Sequence, residues 1–209
     1  MPRSLHHATV FGVVALSCLV LFGWLTAAVV AQRTLAWDER VMLAVAGLRS
    51  PVVTWWMKIV SAVGSGAVEV PVGLLLLWRL VSRGARPAAY GYASALVSSW
   101  ALYGLTKLLV HRPRPRVISH LAHDAGWYSY PSGHTILAPL VFVLGAIIWT
   151  RSWARPEARL GLVLAGVSLS LAIAGSRVYL GAHYPTDVIG GLLLGTALSA
   201  AWMPRLTVN

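Results

Sequence analysis

Long apolar stretches alternate with short polar or basic segments along most of the chain. A helix needs roughly 20 residues to cross a bilayer, and the first stretch is longer than the apolar part of a secretory signal. We expect six spans, at 8–31, 67–80, 88–110, 132–150, 160–175 and 185–202. Residues 32–65 mix charges with tryptophan, which is typical of short helices lying in the membrane interface. The predicted fold class is all-α: a polytopic membrane protein with six transmembrane helices in one bundle and short interfacial helices between spans 1 and 2.

Composition supports a membrane protein. The chain has 209 residues, of which 57% are hydrophobic and 11% are charged. Soluble domains carry about 25% charged residues. The length suits one compact bundle, so we expect a single domain covering residues 1–209. The only cysteine, Cys18, lies within an apolar stretch, which argues against a disulfide framework or a cysteine-based metal site.

The net charge of +11 indicates an anionic partner. Because the basic residues lie at the ends of apolar stretches, anionic lipid and an anionic substrate are better partners than nucleic acid. An even number of spans places both termini on one side. Apart from the candidate site, Lys and Arg are more frequent on that side, which predicts cytoplasmic termini in the cell (inner, cytoplasmic) membrane. The candidate site then lies on the extracytoplasmic face.

Three polar segments stand beside apolar stretches, so all three can meet at one face of the membrane. The first contains Lys107 and Arg114, the second is Pro131-Ser132-Gly133-His134, and the third runs from Ser176 to Asp187. In the second segment, Ser132 is a good N-cap for the apolar helix that follows. A helix N-terminus of this kind attracts anions.

Together the three segments resemble the signature of the type 2 phosphatidic acid phosphatase (PAP2) superfamily, in the family's order. The matching motifs are Lys107-x6-Arg114-Pro115, Pro131-Ser132-Gly133-His134 and Ser176-Arg177-x5-His183-x3-Asp187. The resemblance implies a membrane phosphatase that hydrolyses a lipid phosphate or diphosphate, such as undecaprenyl diphosphate, phosphatidic acid or phosphatidylglycerol phosphate. It implies a phosphohistidine intermediate and no metal or other cofactor.

The residues themselves support the same chemistry. His183 and Asp187 are four residues apart, so on a helix they share a face, and the carboxylate can fix the imidazole tautomer for nucleophilic attack. His134 is then the general acid for the leaving oxygen. A cationic, donor-rich cradle suits a phosphoryl group in its transition state. The expected phosphate-binding residues are Lys107, Arg114, Ser132, Gly133 and Arg177, with Arg112 and Ser176 as further candidates.

Three residues outside the motifs also carry expectations. Glu69, near the site end of the second span, is interpreted as a polar contact within the bundle rather than as part of a substrate gate. Gly191 and Gly195 have the spacing that allows helices to pack closely inside a bundle.

Three other functions share part of this pattern. The phosphoryl group could pass to a lipid or sugar acceptor, which would make the protein a phosphotransferase. A non-catalytic lipid-binding or transport protein would need the basic residues but not His183. Soluble vanadate haloperoxidases share the cradle, but the six apolar spans argue against that function.

Overall fold

A computed structural model describes residues 3–122, 128–150 and 154–207, with side chains described for 8–122, 128–150 and 154–204. Within these ranges the chain forms eight helices and no β-strand. They are α1 (Arg3–Val30), α2 (Leu35–Ala46), α3 (Pro51–Val63), α4 (Gly66–Ser82), α5 (Arg86–Val110), α6 (Gly133–Thr150), α7 (Pro156–Tyr179) and α8 (Pro185–Thr207). Helix α6 contains a π-helical stretch at Pro139–Val143. The all-α prediction is confirmed.

Five of these helices, α1, α5, α6, α7 and α8, are long and apolar enough to cross a membrane. Helix α4 has 17 residues, about 26 Å at 1.5 Å per residue, which is short of a hydrocarbon core of about 30 Å. Together with α3, from which it is bent by 40°, it is long and apolar enough for a sixth span, and the pair forms either a broken span or a re-entrant loop. The polytopic prediction is therefore confirmed, and 32–65 does contain two short helices. The structure adds that the second of them continues into the next span.

Helix α8 lies at the centre of the bundle, where it packs against α1, α5 and the start of α6. Small residues allow the close approach to α6. A Cβ atom on Gly191 would lie 2.7 Å from the carbonyl oxygen of Ser132, and one on Gly195 would overlap the carbonyl oxygen of Ile136. The predicted close packing at these two glycines is confirmed.

Three helix ends meet on one side of the bundle. Helix α5 stops at His111, which adopts a left-handed conformation (φ 49°) just before two Arg-Pro pairs. The turn from α7 to α8 passes through Gly181 (φ 79°), and the amides of Ala182 and His183 donate to the carbonyl oxygen of Arg177 at 3.0 and 3.3 Å. At the start of α6, the amide of Ser132 donates to the carbonyl oxygen of Asp187 at 3.1 Å. The last of these bonds joins the third predicted segment to the second.

Candidate active site

A cavity of about 290 Å³ lies where these helix ends meet. Its wall includes residues from all three predicted segments: Arg114, Gly133, His134, Arg177 and His183. The side chains that the sequence places far apart therefore face one small volume, with two imidazoles and two guanidinium groups around it. Such a volume suits a tetrahedral anion.

His183 stands at the start of α8 with Asp187 behind it. Its side chain is almost fully buried, and its Nδ1 lies 3.5 Å from Oδ2 of Asp187, a long distance for a hydrogen bond. The same carboxylate oxygen accepts from the amide of Tyr184 at 2.8 Å and from the hydroxyl of Ser129. Asp187 is thus held by the backbone turn and by the chain before α6. Since Nδ1 faces the carboxylate, Nε2 is the ring nitrogen left for chemistry in the cavity.

Burial keeps His183 neutral. Removal from water lowers the pKa of His183 from 6.5 to about 4; Asp187 opposes this shift, and Arg114 and Arg177 add to it. A neutral imidazole has the lone pair that a nucleophile needs. His183 is therefore in its reactive protonation state at neutral pH.

Arg112 occupies a different place from the one expected. Its Nη1 donates to Oδ1 of Asp187 and to the hydroxyl of Thr186, each at 2.7 Å, and its Nη2 donates to Oδ2 of Asp38 at 2.7 Å. It does not line the cavity. Burial acts to lower the pKa of Arg112, but Asp187 and Asp38 raise it above its ordinary value. The structure makes Arg112 a partner of two carboxylates instead of a further phosphate contact.

Asp38, on α2, is a residue of this network that the sequence analysis did not predict. Its fully buried carboxylate also accepts from the amide of Thr186 at 2.9 Å and from the Thr186 hydroxyl at 2.7 Å. Asp38 therefore links α2 to the first turn of α8 and holds that turn in place. No local pattern separates Asp38 from its neighbour Glu39, because only a tertiary contact makes it special.

The three expected cations are positioned differently from one another. Arg114 donates to the carbonyl oxygen of Ala182 at 2.7 Å, and Arg177 donates to the hydroxyl of Ser61 at 2.5 Å. These neutral acceptors hold both guanidinium groups at the cavity wall. Lys107 donates to the carbonyl oxygen of Tyr128, and its Nζ lies 5.0 Å from the ring centre of Tyr103, which lines the cavity. Lys107 thus stands behind the wall.

The start of α6 corrects the expectation that the Ser132 side chain caps the helix. Ser132 is at the N-cap position, but its hydroxyl caps no amide. The hydroxyl is buried and has no hydrogen-bond partner among the described residues. At Gly133, an added Cβ would lie 3.1 Å from the ring of Tyr103, so the backbone passes close to the wall. Ser176 donates to the carbonyl oxygen of Ile173 at 2.7 Å, within its own helix, and does not line the cavity.

Glu69 also lines the cavity, and the prediction that it makes a polar contact in the bundle is wrong. Neither carboxyl oxygen has a hydrogen-bond partner among the described residues. It borders a second, largely apolar groove of about 350 Å³ between α4 and α5, which shares Trp100 and Leu137 with the first cavity. The groove therefore adjoins the site directly.

Comparison with known proteins identifies similar chains. Residues 88–208 match the family model described as the PAP2 superfamily. YbjG of Escherichia coli, named as a candidate undecaprenyl-diphosphatase, is 33% identical over 145 residues, which cover 68% of this chain and 69% of that protein. Phosphatidylglycerophosphatase B of Bacillus subtilis is 28% identical over 191 residues, covering 87% and 89%.

The fold has a counterpart among solved structures. The crystal structure of a transmembrane PAP2 type phosphatidylglycerolphosphate phosphatase from Bacillus subtilis matches with a TM-score of 0.80 and 23% identity. The match covers 91% of this chain and 94% of that one. The arrangement of helices is thus shared over nearly the whole of both chains.

Proposed function

The chain belongs to the PAP2 superfamily and is a membrane phosphatase of the lipid phosphatase type, and on this premise we propose that it hydrolyses a lipid phosphate or diphosphate through a phosphohistidine, without a metal ion. The observation that carries this proposal is the position of His183. Its imidazole lines the cavity beside Arg114 and Arg177, while Asp187 stands behind its Nδ1.

The first step transfers the phosphoryl group to the protein. The Nε2 lone pair of His183 attacks phosphorus, and the bond from phosphorus to the leaving oxygen breaks; this is the ester oxygen of a monophosphate or the bridging oxygen of a diphosphate. The leaving oxygen takes a proton from His134. Arg114 and Arg177 stabilise the charge that spreads over the equatorial oxygens. The unpartnered Ser132 hydroxyl and the Gly133 amide, at the start of α6, are donors for the same oxygens.

The second step restores the enzyme. Water attacks phosphorus and gives a proton to His134, while the bond between phosphorus and Nε2 breaks. Inorganic phosphate leaves, and His183 is neutral again. Neither step needs a metal ion, and within the described side chains no group of three or more His, Cys, Asp or Glu residues is arranged to hold one.

The apolar groove supports a lipid substrate. It begins at the wall that Glu69, Trp100 and Leu137 share with the site and runs between α4 and α5 past exposed apolar side chains such as Val70 and Val97. A lipid can thus place its phosphate in the cavity while its chain stays among apolar residues. Substrates of the undecaprenyl diphosphate, phosphatidic acid or phosphatidylglycerol phosphate type have this form.

We place the protein in the cytoplasmic membrane, with one domain over residues 1–209, cytoplasmic termini and the site on the extracytoplasmic face. Apart from the candidate site, Lys and Arg are more frequent at the opposite helix ends, which supports this orientation. Alkaline phosphatase fused after Asn209 would be inactive in this orientation, and a cytoplasmic reporter at the same position would be active. The reverse pair of results would contradict it.

The decisive experiment is phosphate release from a panel of lipid phosphates in EDTA, using the full chain in detergent. We expect the wild type to retain activity and His183→Ala to lose it by roughly a thousandfold or more, because the nucleophile is gone. His120→Gln is the control, since His120 is exposed and not part of the cavity wall. An acid-labile, alkali-stable phosphoprotein should form only when His183 is present.

Other outcomes identify other functions. Loss of wild-type activity in EDTA would contradict the metal-free route. A phosphorylated acceptor in place of inorganic phosphate would indicate a phosphotransferase. Full activity of His183→Ala in lipid binding or transport, with no phosphate release by the wild type, would indicate a non-catalytic protein.

A further inference from the structure

Glu69 is the one carboxyl residue among the described residues that line the cavity, and the reaction described above does not use it. It lies in the first turn of α4 and is 1% exposed. No hydrogen bond reaches either carboxyl oxygen within the described part of the chain. Buried polar groups are nearly always paired, so a carboxyl without a partner in the protein takes its partner from the open volume beside it, which is water in the free protein and a ligand once one is bound.

Glu69 stands at the boundary between two environments. On one side is the cavity with Arg114, His134, Arg177 and His183, and on the other is the apolar groove. A lipid whose phosphorus lies beside His183 must pass this boundary to place its chain in the groove. The carboxyl therefore faces the part of the substrate where the polar leaving group joins the hydrocarbon.

The protonated, neutral form of the Glu69 carboxyl group fits this position. An ionised carboxylate without a cationic partner is costly at membrane depth, and it would repel the phosphate that the cavity attracts. A neutral carboxylic acid offers one O–H donor as well as an acceptor oxygen. Phosphate oxygens are strong acceptors, so the two groups are complementary.

Resting on the proposed function, we propose that Glu69 is a specificity-determining residue that donates a hydrogen bond to the leaving phosphate of a lipid diphosphate. In a lipid diphosphate, His183 attacks the terminal phosphorus. The second phosphate, which is the leaving group, lies between that phosphorus and the hydrocarbon chain in the groove. In a lipid monophosphate, only the ester oxygen reaches this point. Glu69 therefore favours diphosphates over monophosphates with the same chain.

The test compares farnesyl diphosphate with farnesyl monophosphate, which differ only in the second phosphate. The full-length wild type, Glu69→Gln, Glu69→Leu and the control Ser99→Ala are assayed in detergent for kcat/KM on both. Ser99 is a matched control because it is buried in the same wall, and its hydroxyl already donates to the carbonyl oxygen of Leu96 at 2.6 Å.

We expect Glu69→Leu to lower kcat/KM for the diphosphate by about 10-fold and for the monophosphate by less than about 3-fold, the range of one lost hydrogen bond. Glu69→Gln should stay within about 3-fold of the wild type on both substrates, because its amide is a neutral donor of similar length. Ser99→Ala should leave the ratio of the two values unchanged. Inhibition by orthovanadate should be the same in all four proteins, since a single tetrahedral anion has no second phosphate to place beside Glu69.

Three results would overturn the inference while the wild type remains active: equal losses on both substrates in Glu69→Leu, no loss in Glu69→Leu, or equal damage in Glu69→Gln and Glu69→Leu. If Glu69→Leu is not monodisperse, Glu69→Met provides the same comparison with an unbranched apolar side chain. A wild type that releases phosphate from neither substrate, nor from the wider lipid panel, would overturn the proposed function itself.

Discussion

Asp38 forms a buried ion pair with Arg112, with 2.7 Å between Oδ2 and Nη2. The other terminal nitrogen of the same guanidinium lies 2.7 Å from Asp187. Asp187 in turn stands behind His183, so helix α2, outside the three motifs, helps to position the carboxylate beside the proposed nucleophile. Asp38 gives Arg112 a second carboxylate partner, so the guanidinium group does not pull Asp187 away from the imidazole of His183.

The first prediction concerns this pair. Asp38→Asn removes one charge of a buried network and leaves Arg112 with a single carboxylate. Breaking such a pair costs about 3–5 kcal/mol of unfolding free energy, and we expect a drop in kcat of roughly 10-fold as Asp187 shifts toward Arg112. Thermal unfolding in detergent and phosphate release measure the two effects. Glu39→Gln, on the same helix and less buried, is the control with the same charge change; equal effects of the two substitutions would contradict the role of Asp38.

The second prediction separates the two histidines by leaving group. If His134 protonates the leaving oxygen, His134→Asn should lower kcat on a lipid phosphate by about 100-fold or more. On p-nitrophenyl phosphate, whose phenolate leaves without help, the loss should be below about 10-fold. His183→Ala should be equally inactive on both substrates, because the nucleophile is needed in each case. An equally large loss on both substrates in His134→Asn would exclude the general-acid role.

The third prediction follows from the buried imidazole. Folding lowers the pKa of His183 from 6.5 to about 4. Between pH 6.5 and pH 4, therefore, the unfolded chain binds a proton at His183 that the folded protein does not bind. Stability is therefore highest above pH 6.5 and decreases by roughly 2–3 kcal/mol as the pH falls to 4. Unfolding temperatures from pH 7.5 to 4.5 should fall less steeply in His183→Gln than in the wild type or His120→Gln. Parallel slopes in all three would show that His183 does not titrate in this way.

The fourth prediction concerns the contact between α6 and α8. Gly195→Ala places a methyl group against the carbonyl oxygen of Ile136, so the helices must move apart near Ser132 and His134. We expect a loss of about 1–3 kcal/mol in unfolding free energy and a reduced kcat. Gly161→Ala, where a Cβ meets no atom within 4 Å, should have little effect. Unfolding midpoints and phosphate release of the two variants test this, and equal stability would argue against a tight interface.

The helices, and the grouping of four predicted residues around one cavity, could be predicted from the sequence. Apolar stretches of membrane-crossing length predicted the spans to within a few residues, as 88–110 against Arg86–Val110 shows. Burying a long backbone in lipid requires a helix, so hydropathy and length suffice. The short motifs also placed Arg114, His134, Arg177 and His183 in one site, because each motif stands at the end of a predicted span.

The tertiary structure decided how polar groups pair and which face of each helix they occupy. Arg112 and Arg114 are two residues apart in similar Arg-Pro pairs, yet one binds two carboxylates and the other faces the cavity. Asp38, Ser61 and Glu69 show no pattern that separates them from ordinary polar residues. Their roles come from neighbours distant in the chain, and such contacts exist only once the helices have packed. Local sequence sets where a helix begins and ends, whereas partners depend on the whole bundle.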